Sequence, residues 1–331
     1  MSAGRRDRTP DHVNGGAASN GAASNGAASD GAVGRRSGIL LVDKPQGITS
    51  HDVVARTRRL AGTRKVGHAG TLDPMATGLL VLGVNSATRL LTYLVGLDKE
   101  YFATIRLGAS TNTDDADGTE LERASAASVA SIGGESVARG ISALTGEIRQ
   151  VPSSVSAIKV DGQRAYTLAR AGETVELAAR SVTISAFELL DSRGVDGFLD
   201  LDVRVECSSG TYIRALARDL GATLSVGGHL TALRRSRIGP FLVADAAELE
   251  TMNVAESLLD PAVAAERLFP SYRLSEQEAI DLGHGKRLTI PGLDASGPVA
   301  AIEPDGRLAG LVELIGDVAK PLVNFPKDVP E

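Results

Sequence analysis

The chain has 331 residues, 43% of them hydrophobic, and a formal net charge of −6, enough apolar content for one large core and a second, smaller one. A single cysteine, Cys207, excludes an internal disulfide framework and a Cys-rich zinc site, and sets the expectation of a reducing, cytoplasmic environment. No apolar run approaches the roughly 18 residues that span a bilayer and no secretory apolar region opens the chain, so neither a membrane nor an export role is expected.

Residues 1–36 are low in complexity, with a repeat of the form Gly16-Ala-Ala-Ser-Asn that buries too little to offset chain entropy, and a disordered tail is expected there. Order begins at Gly38, where Ile39 to Val42 read as a buried strand ending in Asp43-Lys44-Pro45. Thr49 or Ser50 caps a helix with Val53, Val54, Thr57 and Leu60 at helical spacing and Gly62 as its stop. After a glycine-rich loop from Val66 to Gly78, the spacing predicts a strand over Leu79–Leu82, a short helix over Ala87–Val95, and a strand over Tyr101–Leu107 with Tyr101 on its apolar face. A polar loop, Thr111–Gly118, precedes a helix over 135–145, a strand over Val155–Val160, a tight turn at Asp161-Gly162, a helix over Arg164–Arg170 and a strand over Val182–Leu190. Leu199, Leu201, Val203, Val205 and Cys207 alternate with Asp200, Asp202, Arg204 and Glu206, the pattern of a sheet with one wet face. That strand runs through Ser208-Ser209-Gly210-Thr211 into a helix over Tyr212–Leu220. Helices mixed with strands without a βαβ rhythm indicate an α+β fold, and short glycine-punctuated strands after about residue 270 indicate a small, mainly β appendage.

Charge is unevenly spread. Arg56, Arg58, Arg59, Arg64 and Lys65 form one basic cluster and Arg234, Arg235 and Arg237 a second, each suited to phosphates despite the negative total.

The segment Gly67-His68-Ala69-Gly70-Thr71-Leu72-Asp73-Pro74-Met75-Ala76-Thr77-Gly78 carries the most chemical information. Pro74 pushes Asp73 out of helical backbone angles and the glycines permit tight turns, so a carboxylate is displayed on a shaped loop. Local physics alone reads an Asp-Pro pair as a turn initiator. The whole segment, however, resembles the catalytic loop of TruB-type pseudouridine synthases. Other stretches resemble that family in its order: Gly38 to Ser50 with Lys44-Pro45, Asp98-Lys99-Glu100-Tyr101, Thr111 to Gly118, Cys207 to Arg214, and Leu233-Arg234-Arg235.

The resemblance implies a pseudouridine synthase fold, a mixed and largely antiparallel sheet flanked by helices and loops over 37–268, followed by a small PUA-like RNA-binding domain over 269–331. It implies isomerisation of uridine 55 in the T stem-loop of tRNA, without cofactor or metal, by a monomer with no obligate protein partner. Asp73 matches the catalytic carboxylate, acting at the sugar either by attack on C1′ or by removal of the C2′ proton. Arg214 matches the arginine that pairs with it, and Tyr101 the tyrosine that stacks on the target base, with core packing as its ordinary alternative. Tyr212 and Leu233 match positions lining the uracil pocket, although Leu233 alone would read as core. His68 matches a histidine that holds the T loop open, and Lys44 a support of the active-site loop, its charge directed at Asp73 or at phosphate. Where the family is often basic this chain has Ser209, which removes one phosphate contact.

Three other readings compete. A metal-dependent nuclease would use Asp114, Asp115 and Asp117 as oxygen ligands, a glycosidase would pair Asp73 with a second carboxylate, and an RNA-folding module would open the tRNA elbow without chemistry.

Overall fold

A computed structural model describes residues 36–153, 159–160, 163–164 and 177–328, with backbone alone for 159–160 and 163–164. The low-complexity tail, the Asp161-Gly162 turn, and nearly all of the segments expected as a strand from Val155 and a helix from Arg164 lie outside the described residues.

The first strand, β1 (Gly38–Lys44), leads through Thr49 into α1 (Ser50–Leu60). Thr49 and Asp52 form a reciprocal capping box, and Gly62 at φ +63° lets the chain leave the helix. β2 (Val66–His68) falls inside the segment read as a loop, because pairing with β3 (Thr77–Val84) satisfies its backbone. The helix expected over Ala87–Val95 is instead a 3₁₀ turn (Asn85–Leu90) followed by one α-helical turn, α2 (Leu91–Val95); Asn85 at φ +53° sets the tighter start. β4 (Lys99–Leu107) follows, then the small hairpin β5 (Ala109–Thr111) and β6 (Glu120–Arg123), helices α3 (Ala126–Ala130) and α4 (Gly134–Ala143), and β7 (Gly146–Gln150). β8 (Lys159–Val160) pairs with β9 (Gln163–Arg164). β10 (Arg180–Val195) and β11 (Phe198–Cys207) form a long hairpin, and α5 (Ile213–Thr223) connects it to β12 (Gly228–Ile238).

Short strands β13 (Phe241–Leu242), β14 (Ala247–Glu248) and β15 (Leu258–Leu259), with α6 (Val254–Ser257) between the last two, return the chain to β1. The resulting sheet runs β14-β1-β3-β12-β4-β11-β10-β7, parallel only at β14/β1 and β3/β12. It is therefore mixed and largely antiparallel, as the family resemblance implies.

Two chemistries divide this sheet. β1 and β3 are buried on both faces, which explains their unbroken apolar runs. Leu40, Val42, Leu80 and Leu82 pack with Val53 and Val54 of α1, whereas Ile39, Leu41, Leu79 and Val81 face the other way. The β4-β11-β10 part buries Tyr101, Ile105, Leu201 and Val203 under Leu216 and Leu220 of α5 and Val137 of α4. Its opposite face is less wet than the alternation suggests. Asp200 is buried beneath Arg106, and Arg204 reaches Glu100 and Glu188, so ion pairs pave that surface.

After α7 (Pro261–Glu266), a second sheet contains β16 (Ser271–Arg273), β17 (Leu288–Thr289), β18 (Pro298–Ile302), β19 (Leu308–Ile315) and β20 (Val318–Asn324), with α8 (Glu276–Gly283) alongside. Its strand order is β16-β18-β19-β20-β17. Leu274, Leu282, Val299 and Val312 form its own core, while Ala300, Ile302, Leu308 and Phe325 share a cluster with Ile39, Leu41 and Leu79. The β-rich C-terminal region is thus docked on β1 and β3 by shared apolar burial.

Candidate active site

Asp73 sits between β2 and β3, on a turn closed by the Ala76 amide donating to the Asp73 carbonyl at 3.1 Å. Four residues hold that turn and its flanks. The buried Ser50 hydroxyl, at the start of α1, accepts from the Leu72 amide at 2.9 Å and donates to the Leu72 carbonyl at 3.1 Å. The Gly47 amide donates to the Pro74 carbonyl at 2.8 Å. From the end of β1, the Lys44 ammonium donates to the carbonyls of Pro45 and Ile48, both at 2.9 Å, and lies 3.4 Å from that of Pro74. From β12, the Arg235 guanidinium donates to the Leu79 carbonyl at 2.8 Å and to the Gly70 carbonyl at 3.0 Å. Arg235 is 1% exposed. Gly78 permits its approach: the residue adopts φ +102°, and a Cβ there would collide with the Arg235 backbone.

Arg214 reaches Asp73 from the first turn of α5. Its Nε donates to Asp73 Oδ2 at 2.9 Å, its Nη1 donates to the Thr113 carbonyl at 2.7 Å, and Nη1 stands 3.5 Å from Asp115 Oδ2. The Arg214 side chain is 4% exposed while that of Asp73 is 37% exposed, so the arginine is fixed from behind and the carboxylate opens to solvent. Burial raises the Asp115 carboxyl, opposed by the Thr113 hydroxyl and by Arg214.

Beside this pair stands an apolar wall. Tyr101, Leu233, Leu72, Met75 and Ala76 belong to one buried cluster, brought together by β4 pairing with β12 and by the turn that carries Asp73. Burial pushes the Tyr101 phenol above its ordinary value, and the positive charge of Arg235 opposes that shift. Tyr212 is half-buried at the N-cap of α5, two residues before Arg214; Gln150 clamps its backbone, donating to the Tyr212 carbonyl at 3.0 Å and accepting from the Tyr212 amide at 2.8 Å. His68, half-buried, meets the ring of His51 edge-on at 5.6 Å. Burial, then His51 and Arg235, lower its imidazolium, which favours the neutral ring.

Several expectations need correction. Lys44 is fully buried with its ammonium capped by carbonyls, so its charge faces the Asp73 turn and is out of reach of phosphate. Burial lowers that ammonium to about 8, opposed chiefly by Asp73. The second basic cluster is consumed internally: Arg234 pairs with Asp43 at 2.6 Å, Arg237 with Asp98 at 2.6 Å and Glu206 at 3.3 Å, and Arg235 pins the turn. Asp114, Asp115 and Asp117 do not converge on a cation. Asp114 pairs with Arg218 at 3.2 Å, Asp115 accepts from Thr113 and the Asp117 amide, and among the described residues no group of three or more His, Cys, Asp or Glu side chains is placed to hold a metal. Ser209 donates to the Val95 carbonyl at 2.6 Å.

Comparison with known proteins agrees with this architecture. Residues 58–213 match the N-terminal domain of the TruB family pseudouridylate synthases, 214–269 the tRNA pseudouridylate synthase B C-terminal domain, and 269–326 the C-terminal region of tRNA pseudouridine synthase II. The tRNA pseudouridine synthase B of Leifsonia xyli subsp. xyli (strain CTCB07) is 64% identical over 294 residues, covering 88% of this chain and 97% of its own. That of Thermobifida fusca (strain YX) is 56% identical over 292 residues, covering 87% and 98%. Among solved structures, an H/ACA RNP bound to a substrate RNA containing 2′-deoxyuridine superimposes with a TM-score of 0.64 at 23% identity, covering 88% of this chain and 87% of that one. A Cbf5-Nop10-Gar1 complex gives 0.64 at 24% identity, covering 88% and 85%. These two similarities establish a shared fold. The family matches span the paired Asp73 and Arg214, and the chain belongs to the TruB family of pseudouridine synthases, a family of pseudouridine-forming isomerases.

Proposed function

We propose that the chain converts uridine 55 in the T loop of tRNA to pseudouridine, with Asp73 as its catalytic carboxylate. One observation carries this reading: a carboxylate held by a buried arginine at 2.9 Å, open to solvent, beside a wall containing Tyr101 and Leu233. The reaction breaks C1′–N1, turns the uracil and joins C5 to C1′; C5 loses a proton to solvent, N1 gains one, and atoms and electrons balance without a redox partner. Asp73 acts at the sugar, by attack on C1′ or by removal of the C2′ proton. Deuterium at C2′ separates the two routes, because a primary isotope effect accompanies only proton removal.

The target base leaves the stack, at a cost of a few kcal/mol, to lie against Tyr101, where aromatic stacking returns roughly 1–3 kcal/mol per base. Tyr212 and Leu233 bound the uracil, and neutral His68 contacts the opened T loop. Arg214 orients Asp73 through its own anchors at Thr113 and Asp115. In this reading residues 37–268 form the catalytic domain and 269–331 a PUA-like domain that binds RNA, the protein acts as a cytoplasmic monomer, and Lys44 positions the catalytic turn.

Tritium release from tRNA transcripts labelled at uridine C5 tests the site of reaction. One equivalent is expected from a transcript with uridine at position 55 and none when that position is cytidine. Undiminished release from the cytidine transcript would contradict the assignment.

A further inference from the structure

The N-terminus of α1 buttresses the Asp73 turn through Ser50, and its exposed face carries His51, Ala55, Arg58 and Arg59 at spacings of four, three and one residues. The chain then turns through Gly62 and presents Arg64 and Lys65, both exposed, before β2 brings it back to His68. Positive charge thus gathers in the last turn of this 11-residue helix and in the turn that follows it, with Lys65 three residues before His68. The acidic Asp52 is engaged in the capping box with Thr49, and Glu250 lies 3.9 Å from Arg56 at the edge of the cluster. Among the described residues, no carboxylate pairs with Arg58, Arg59, Arg64 or Lys65, and Arg58 donates to the Val66 carbonyl at 3.0 Å.

Complementing the helix dipole accounts for Arg58 and Arg59 in the last turn. It does not account for Arg64 and Lys65, which lie beyond the helix. Five arginines nearer the sheet, Arg106, Arg204, Arg214, Arg234 and Arg237, are matched to carboxylates, and the buried Arg235 to backbone carbonyls. An unneutralised cluster on a chain of net charge −6 fits one occupant, a polyanion already seated at the adjacent site.

We propose that Arg58, Arg59, Arg64 and Lys65 form a phosphate track for the RNA strand that leads away from the flipped nucleotide. This inference rests on the tRNA reading above and deepens it by naming where the backbone lies. The contacts are electrostatic and carry no base readout.

The test uses the full chain and a tRNA transcript, with binding measured between about 50 and 200 mM salt. Each phosphate contact contributes roughly 0.7–0.9 to the slope of log K against log salt. The variant combining Arg59→Ala, Arg64→Ala and Lys65→Ala is expected to flatten that slope by about 2 and to raise KM at least tenfold while kcat at saturating tRNA holds. The single variant Arg64→Ala should flatten it by about 0.8. A slope unchanged in both variants would overturn the track, including when the triple variant loses thermal stability. Failure of the tRNA reading itself shows separately, as absence of tritium release by the wild-type chain.

Discussion

Arg214 reaches Asp73, Thr113 and Asp115 among the described residues, and of these only Asp73 belongs to the candidate reacting group. A lysine in its place supplies charge without the planar fork, so the Asp73 carboxylate would lose its orientation and the Thr113 carbonyl its donor. Misplacement of a reacting group by about 1 Å costs on the order of 10²-fold in rate. Arg214→Lys is therefore expected to lower kcat about 100-fold or more with the dissociation constant for tRNA nearly unchanged. Single-turnover kinetics beside a filter-binding titration measure both, and a loss under tenfold in kcat would contradict the orienting role. The fork is a property of the residue, and sequence motifs point to it directly because Arg214 follows Gly210-Thr211-Tyr212. Its anchors are different. Thr113 contributes a backbone carbonyl from 101 positions upstream, a contact that no side-chain pattern encodes.

At the scale of elements, the Asp73 turn is suspended between β1, α1 and β12. Arg235 is the pin from β12, and its removal leaves the buried carbonyl of Leu79 and the half-buried one of Gly70 without this donor, at up to about 1–3 kcal/mol each. Arg235→Met should cost roughly 3 kcal/mol of stability by urea unfolding and lower kcat, while leaving the salt slope of tRNA binding unchanged. A flatter slope with intact stability would restore Arg235 to the phosphates. The clustering of Arg234, Arg235 and Arg237 in sequence suggested an RNA face because local charge density says nothing about distant partners. Asp43 lies 191 positions from Arg234 and Asp98 139 positions from Arg237. The alternating strands β4 and β11 were legible because one face is buried, whereas β2 was hidden in a glycine-rich segment too short to show a period. Lys44 was legible as a support for the turn and illegible as a buried group, since depth depends on how β1 is covered.

For the whole molecule, burial of ionisable groups around the site gives stability a dependence on pH. Burial holds Lys44 and Lys99 near 8, below their ordinary 10.5. From about pH 8 to 10.5 the unfolded chain therefore binds more protons than the folded one, and stability rises with pH. Cys207 works in the other direction: burial pushes its thiol to about 11 from 9.0, so above about pH 9 the unfolded chain releases that proton first and stability falls. Urea midpoints are expected to rise between pH 8 and 9 and to climb less steeply above 9. Lys44→Met should remove about half of the first rise, and a flat wild-type profile would contradict the burial of these ammonium groups.

The shared apolar cluster of Ile39, Leu41, Ala300 and Ile302 ties the β-rich C-terminal region to the same strands that support the Asp73 turn. Sequence periodicity found that region as short strands but gave no sign of its docking, because β18 has both faces apolar and does not reveal which one meets β1. The central claim concerns Asp73 within this frame, and it is tested most directly by wild-type and Asp73→Asn chains compared on one C5-tritiated tRNA transcript. The amide preserves size and the surrounding contacts while removing the nucleophile or base. The account predicts tRNA binding within a few-fold of wild type and no tritium release from Asp73→Asn; release by the variant at a rate near that of wild type would contradict it.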